Sequence, residues 1–161
     1  MFAVRLIQFI EAHADGLSEG VMNRLKKSER CQELFEKVPA DELRRRAHEI
    51  YCNLADWLLT KTEAEIEERY VGIGARRARQ GVAYSHLYWA MTTTKEYLWD
   101  YVQQEGLIEE PVELWGEVHL LHSLEQFFDR ALYYAAVGYE IASGEESEHA
   151  VAGGHSRSAR R

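Results

Sequence analysis

The chain has 161 residues, of which 46% are hydrophobic and 29% are charged. This composition excludes intrinsic disorder as the main state, because the apolar side chains suffice to build a core. The net charge is −8, and residues 81–161 carry all of it, since acidic and basic residues balance in residues 1–80. We expect no nucleic-acid partner, because phosphate binding needs a concentrated basic face.

The N-terminal segment and the two cysteines bear on the cellular compartment. Arg5 and Gln8 interrupt the apolar start of the chain, so we do not interpret it as a signal peptide. No apolar run approaches the roughly 20 residues that span a bilayer. Cys31 and Cys52 are too few for a disulfide framework, and we interpret them as small, buried or half-buried hydrophobes. The sequence thus predicts a soluble cytoplasmic protein without a membrane partner.

Apolar residues recur at helical spacing along the chain, and no segment alternates like a strand. The pattern predicts an all-α, single-domain bundle of five or six helices over residues 1–142, followed by a disordered polar tail over residues 143–161. The first helix starts at Phe2, with a kink or break at Gly16 and Gly20 and Ser18 as an N-cap for a restart. A short helix covers residues 29–36, and Asp41 is the expected N-cap of the third helix.

The later helices are bounded by capping signals. The third helix is predicted over residues 42–59. Thr62 and Glu65 fit a capping box for the fourth helix, and Gly81 is its expected stop. The fifth helix is predicted over residues 84–104 and the last over residues 111–141, beginning at Pro111. We expect the last helix to bury Trp115, Val118, His122, Phe128, Leu132, Ala135 and Tyr139.

The fifth helix is apolar or aromatic almost all round, which is typical of a central helix or of one that also faces a partner. Its aromatic residues could line a dimer interface, in which tyrosine and tryptophan are enriched, or a ligand pocket between helices. The candidates for this surface are Tyr84, Tyr88, Trp89, Tyr97 and Trp99.

Histidines are the candidates for a metal or haem. His119 and His122 are three residues apart on one helix and could form half of a metal site, but neither of them belongs to a Glu-x-x-His motif, which helical di-metal sites carry on two helices. His86 lies among aromatic residues, and His48 is a rival haem ligand. We favour ordinary core or surface roles for these histidines, and therefore expect neither a cofactor nor a metal. Motifs for nucleophilic catalysis, phosphate loops and dinucleotide binding are also missing, so we expect no enzyme.

The segment Gly74-Ala75-Arg76-Arg77-Ala78-Arg79-Gln80-Gly81-Val82, followed by a helix that ends in Tyr97-Leu98-Trp99, resembles the N-terminal domain of RsbR-type proteins. These are RsbT co-antagonists of bacterial stress signalling, and the likeness is to their RsbRD branch and to related histidine-kinase input domains. Phe127 to Ala131, with Ala136 and Tyr139, resembles the last helix of that domain.

The resemblance implies a dimeric sensor or input domain without catalysis of its own, with a globin-like fold that holds no haem. The motif residues Gly74, Arg76, Arg77, Ala78 and Gly81 then have structural roles. Gly74 permits close helix contact, Arg77 bonds across the bundle and Gly81 ends the helix. Family members usually continue into an output domain, whereas this chain ends about 20 residues after the last predicted helix. The chain is then either a stand-alone input module or a truncated product, and in both cases we expect its output to pass through a protein partner.

Two alternatives to this homodimeric signalling module stay open at the level of sequence. One is a haem- or metal-binding helical sensor, or a small metal-dependent enzyme, that uses His86, His119 or His122. The other is a regulator that binds a small molecule in a tyrosine-lined pocket.

Overall fold

The computed structural model describes residues 2–107 and 117–158, with side chains described over residues 3–107 and 117–153. Across these ranges every regular element is a helix, so the predicted all-α bundle is confirmed. A 3-10 turn at Glu29–Cys31 precedes the second of six described α-helices. The helices are α1 (Phe2–Lys26), α2 (Gln32–Lys37), α3 (Ala40–Thr60), α4 (Glu63–Arg79), α5 (Tyr84–Gln104) and α6 (Val118–Ser158).

Helix α1 is continuous, so the predicted break near Gly16 and Gly20 is wrong. Its apolar stripe continues through both glycines and is fully buried, and this packing outweighs the low helix propensity of glycine. The Tyr97 hydroxyl lies where a side chain at position 20 would be, so Gly20 makes room for α5. Ser18 is not an N-cap, because its hydroxyl donates to the Asp15 carbonyl within the helix, at 2.9 Å.

The predicted N-cap of α3, Asp41, is also wrong, whereas Thr62 occupies the N-cap position of α4 as predicted but without the capping bond. Pro39 is the N-cap of α3, and its carbonyl accepts the Leu43 amide at 3.1 Å. The Thr62 hydroxyl makes no capping bond and instead donates to the Thr60 hydroxyl at 3.2 Å. Helix α4 therefore begins at Glu63 without the capping box.

Helices α4 and α6 interlock through two glycines. A Cβ atom at Gly74 of α4 would lie within 3.0 Å of the Ala135 backbone of α6, and one at Gly138 would meet the Val71 backbone of α4 in the same way. Real Cβ atoms do not approach other atoms so closely. Both positions therefore require glycine, and the two backbones touch.

The buried face of α6 differs from the predicted one. Val118 is 53% exposed and His122 is exposed, because the core side is taken by residues at a shifted helical register, among them Leu120, Leu124 and Phe127. Phe128 and Ala135 are buried as expected, and Leu132 and Tyr139 are half-buried. The predicted start at Pro111 and the expected burial of Trp115 lie outside the described residues.

The last helix extends to Ser158, past the predicted end at residue 141 and into the segment expected to be a disordered tail. Glutamate and alanine dominate residues 145–152, and their helix propensity outweighs the single Gly144. Ala142 is the last buried residue among the described side chains of this helix, and residues 144–153 are exposed. None of the described helices is long and apolar enough to span a membrane.

Candidate functional site

The family-motif residues of α4 form a buried ion-pair network with α3. The Arg77 side chain is 2% exposed, and one of its guanidinium nitrogens donates to Glu42 Oε1 at 2.8 Å and to Gln80 Oε1 at 2.7 Å. Arg76, which is half exposed, binds both carboxylate oxygens of Glu42, with 2.9 Å from Nη2 to Oε2. One carboxylate thus holds two adjacent arginines and joins α3 to α4.

The two arginines stabilise the charged form of the Glu42 carboxyl. Hydrogen bonds from Arg76 are the main cause of a Glu42 pKa of about 2, and Arg77 lowers this pKa further. Together the two arginines outweigh burial, which acts to raise the pKa. Burial lowers the pKa of the Arg77 guanidinium, although Glu42 opposes this. Each charge is compensated by a partner, so this network acts as a structural connection between helices rather than as a source of a free acid, base or nucleophile.

Gly81 terminates α4 in a Schellman motif. Its φ angle is +76°, and its amide donates to the Ala78 carbonyl at 3.0 Å, while the Val82 amide donates to the Arg77 carbonyl at 3.1 Å. Ala78 is buried at 6% exposure. The positive φ explains the glycine, and the termination directs the chain into α5.

A partly open apolar cavity of about 50 Å³ lies between α1, α2, α3, α4 and α5. Aliphatic side chains dominate its wall, together with Tyr70, Phe35, Arg46 and Arg77. Its volume is well below the roughly 300 Å³ at which ligand pockets begin. None of the five aromatic candidates and none of the histidines lines it, so the tyrosine-lined pocket expected as an alternative is not found there.

The aromatic candidates of α5 mostly pack within the chain. Tyr84, Trp89, Tyr97 and Trp99 are half-buried against the core. The guanidinium groups of Arg30 and Arg24 lie over the rings of Trp89 and Tyr97, at 4.4 Å and 4.7 Å from the centroids. Only Tyr88, at 48%, is among the exposed large hydrophobic residues of this helix.

His86 is used to join α2 to α5. Its Nδ1 accepts the Glu33 amide at 3.2 Å, and the Glu33 carboxylate accepts the Ala83 amide at 2.7 Å. This second bond is the main cause of the lowered pKa of Glu33. The two side chains therefore cap the starts of each other's helices.

His119 and His122 do not form a metal site with a third ligand. Lys61 Nζ lies 3.1 Å from His119 Nε2, and both histidines are exposed at the start of α6. In the two described ranges, no group of three or more histidine, cysteine, aspartate or glutamate side chains is arranged to hold a metal ion.

The interpretation of Cys52 as a plain small hydrophobe overlooked its neighbour. His48 precedes it by one helical turn on α3, and its Nδ1 lies 3.7 Å from the Cys52 sulfur. The other ring nitrogen, Nε2, lies 3.2 Å from Oδ1 of Asp15 on α1. The four-residue spacing was visible in the sequence, but the contribution of Asp15 required the packing of α1 on α3.

Comparison with known proteins places the chain in a family. The family model for the RsbT co-antagonist protein RsbRD N-terminal domain matches residues 15–152. This range contains the whole of α4, the part of α6 that packs against it and the whole ion-pair network. No curated protein and no solved structure matches the chain.

Proposed function

Since the chain belongs to the RsbT co-antagonist RsbRD N-terminal domain family, we propose that it is a non-enzymatic input module of stress signalling that acts as a homodimer through a protein partner. The family match over residues 15–152 carries this proposal. Signalling of this kind needs a rigid bundle and an exposed contact surface, and it needs no catalytic group.

The structural roles of the family-motif residues support the proposal. Gly74 allows the backbones of α4 and α6 to touch, Arg77 forms a buried ion pair with Glu42, and Gly81 ends α4. These residues stabilise one arrangement of α3, α4 and α6. A bundle held in this way can transmit a change at its surface because its helices move as packed units.

We assign the dimer surface to the aromatic cluster at the crossing of α5 and α6, which consists of Tyr84, Tyr88 and Tyr139. The Tyr84 ring lies 6.4 Å from that of Tyr88 and 5.5 Å from that of Tyr139, and its hydroxyl donates to the Leu132 carbonyl at 2.7 Å. Tyr88 is held at the rim of this cluster with half its surface in solvent. An anchored, half-exposed tyrosine is typical of an interface centre.

The proposed surface can be tested with Tyr88→Glu and a matched control, Leu59→Glu. Leu59 is 62% exposed and lies in the last turn of α3, two residues before Lys61, whose Nζ lies 3.1 Å from His119 Nε2 of α6. Tyr84 contacts α6 at Leu132, which lies thirteen residues after His119. The control position is therefore about 20 Å along α6 from the proposed surface. We expect the unmodified chain and Leu59→Glu to sediment as dimers, and Tyr88→Glu as a monomer with an unchanged helical spectrum. If Tyr88→Glu stays dimeric, the surface is wrong.

A further inference from the structure

A surface cleft of about 610 Å³ lies between α3 and α4. This volume is within the range of about 300–1,000 Å³ that small-molecule sites occupy. Charges of both signs line the cleft, with Arg46 and Glu49 on α3 and Arg69 on α4. These three residues belong neither to the proposed dimer surface nor to the ion-pair network of Glu42, so neither feature explains why they lie together.

The two guanidinium groups of the cleft converge on adjacent turns of α3. Arg46 Nη1 donates to Glu49 Oε2 at 2.8 Å. Arg69 reaches across from α4 and donates to Asn53 Oδ1. Glu49 and Asn53 are four residues apart, which corresponds to about 6 Å along a helix. A carboxylate that accepts a hydrogen bond of about 2.9 Å on each oxygen can bridge a gap of this size.

Arg46 has an unused donor. Its Nε atom is buried and has no hydrogen-bond partner among the residues that the structure describes. A buried donor without an acceptor is destabilising, because the lost contact with water is not replaced. A ligand carboxylate that takes the place of Glu49 on this guanidinium would satisfy the donor. Arg45 is then the alternative partner of Glu49, since its Nε lies 4.0 Å from Glu49 Oε1.

The charges of the cleft complement a molecule that carries both signs. Asp56 lines the cleft two turns after Glu49 on α3, and its carboxylate forms no ion pair within the described part of the chain. The carboxylates of Glu49 and Asp56 would repel a plain anion, and the two guanidinium groups would repel a plain cation. A zwitterion avoids both penalties.

Gly72 keeps the cleft open on the α4 side. It lines the cleft, and a Cβ atom at this position would meet nothing within 4 Å. Ile73, which is half-buried, adds an apolar part to the wall. A ligand with a small apolar side chain can therefore enter beside Gly72 and pack on Ile73.

We propose that the cleft between α3 and α4 binds a free amino acid with a small apolar side chain, whose carboxylate is held by Arg46 and Arg69 and whose ammonium group lies near Asp56. Binding is non-covalent, and no bond forms or breaks. The site goes beyond the proposed signalling role and uses none of the residues assigned to the dimer surface.

The test is a calorimetric titration of the full chain with L-alanine and with L-valine. Each is compared with the acid that lacks its amino group and with the amine that lacks its carboxylate. We expect at least one of the two amino acids to bind once per chain, with a Kd of about 1 mM or tighter. Its two single-charge analogues should bind at least about tenfold more weakly. Arg69→Gln should weaken binding by at least about tenfold, because it removes a charged donor to the carboxylate.

Gly72→Leu tests the place of the site without removing a charge. The leucine has open space, so this variant should keep the helical spectrum while its side chain fills the cleft and abolishes binding. The matched control is Arg44→Gln, which removes the same charge two residues before Arg46 and outside this cleft. Its affinity should equal that of the unmodified chain.

Several results would overturn this site. One is that neither amino acid binds at about 10 mM, in which case water is the only occupant of the cleft. The others are undiminished binding in Gly72→Leu or in Arg69→Gln, or an acid that binds as tightly as its amino acid. Calorimetry detects the ligand whatever the mass of the protein in solution, so a failure of this site and a failure of the proposed dimer are distinguishable.

Discussion

Gly74 of α4 and Ala135 of α6 bring their helices into backbone contact, at a separation that leaves no space for a Cβ atom on the glycine. Three residues further along α6, Gly138 meets Val71 of α4 in the reciprocal arrangement. Among the described glycines, these are the two at which a Cβ atom would meet the backbone of another helix. The consequences of this contact for stability can be measured directly, because α4 contains a second glycine in open space.

We predict opposite effects for alanine at Gly74 and at Gly72. A Cβ at Gly72 meets nothing within 4 Å, so Gly72→Ala should stabilise the protein by up to about 1 kcal/mol through helix propensity alone. Gly74→Ala must push α6 away from α4, and it should lower the free energy of unfolding of the protein by about 1–3 kcal/mol or more. Urea unfolding of both variants gives the two free energies. Equal effects of the two substitutions would mean that the helices are not in backbone contact.

Removal of Glu42 should be among the most damaging single substitutions in the bundle. Glu42→Ala leaves the buried Arg77 charge with Gln80 as its only partner from this network, and an uncompensated buried charge costs about 3–5 kcal/mol. Arg77→Met is expected to cost less, because Glu42 keeps Arg76. The double variant Glu42→Leu/Arg77→Met should recover most of the loss. Simple addition of the two single effects would show that the charges are not coupled.

The Glu42 carboxyl should also make stability depend on pH in the acid range. Its pKa is about 2 in the folded protein against 4.5 for a free glutamate. The charged form therefore stabilises the fold above about pH 4.5, by roughly 3 kcal/mol, and this contribution disappears as the pH falls through 2.

The measurement compares the unfolding free energies of the unmodified chain and of Glu42→Gln between pH 7 and pH 2. We expect their difference to be constant above pH 5 and to shrink steadily below it. Glu68→Gln, at an exposed position of α4, serves as the control and should show no such trend. A difference that stays constant down to pH 2 would contradict the lowered pKa of Glu42.

Local sequence signals predicted the positions of most helices, but not which helices pack against each other. The pattern predicted α5 over the same residues that the structure gives, Tyr84–Gln104, because Gly81 and Gly106 both end helices with positive φ. The predicted caps at Ser18 and Asp41 were wrong, and Thr62 is the N-cap of α4 but makes no capping bond. Propensity permits a cap at such residues, but the packing of the neighbouring helices decides where each helix begins.

The long-range features of the candidate site could not be predicted from local spacing. Arg77 was expected to bond across the bundle, but its partner Glu42 lies 35 residues away on another helix. The role of Gly138 was not predicted, because a single glycine in a helical segment does not indicate which other helix packs against it. His122 is exposed because α6 turns a different face toward the core from the one that the sequence pattern predicted. The globin-like fold and the dimer remain predictions.

The most direct test of the proposed module is the mass of the unmodified full chain in solution, measured by light scattering over a range of concentrations. The chain mass is 18.7 kDa. We predict a species of twice that mass which persists on dilution, as expected for an input domain that works as a pair of bundles. A constant mass of 18.7 kDa up to the highest concentration would contradict the proposal.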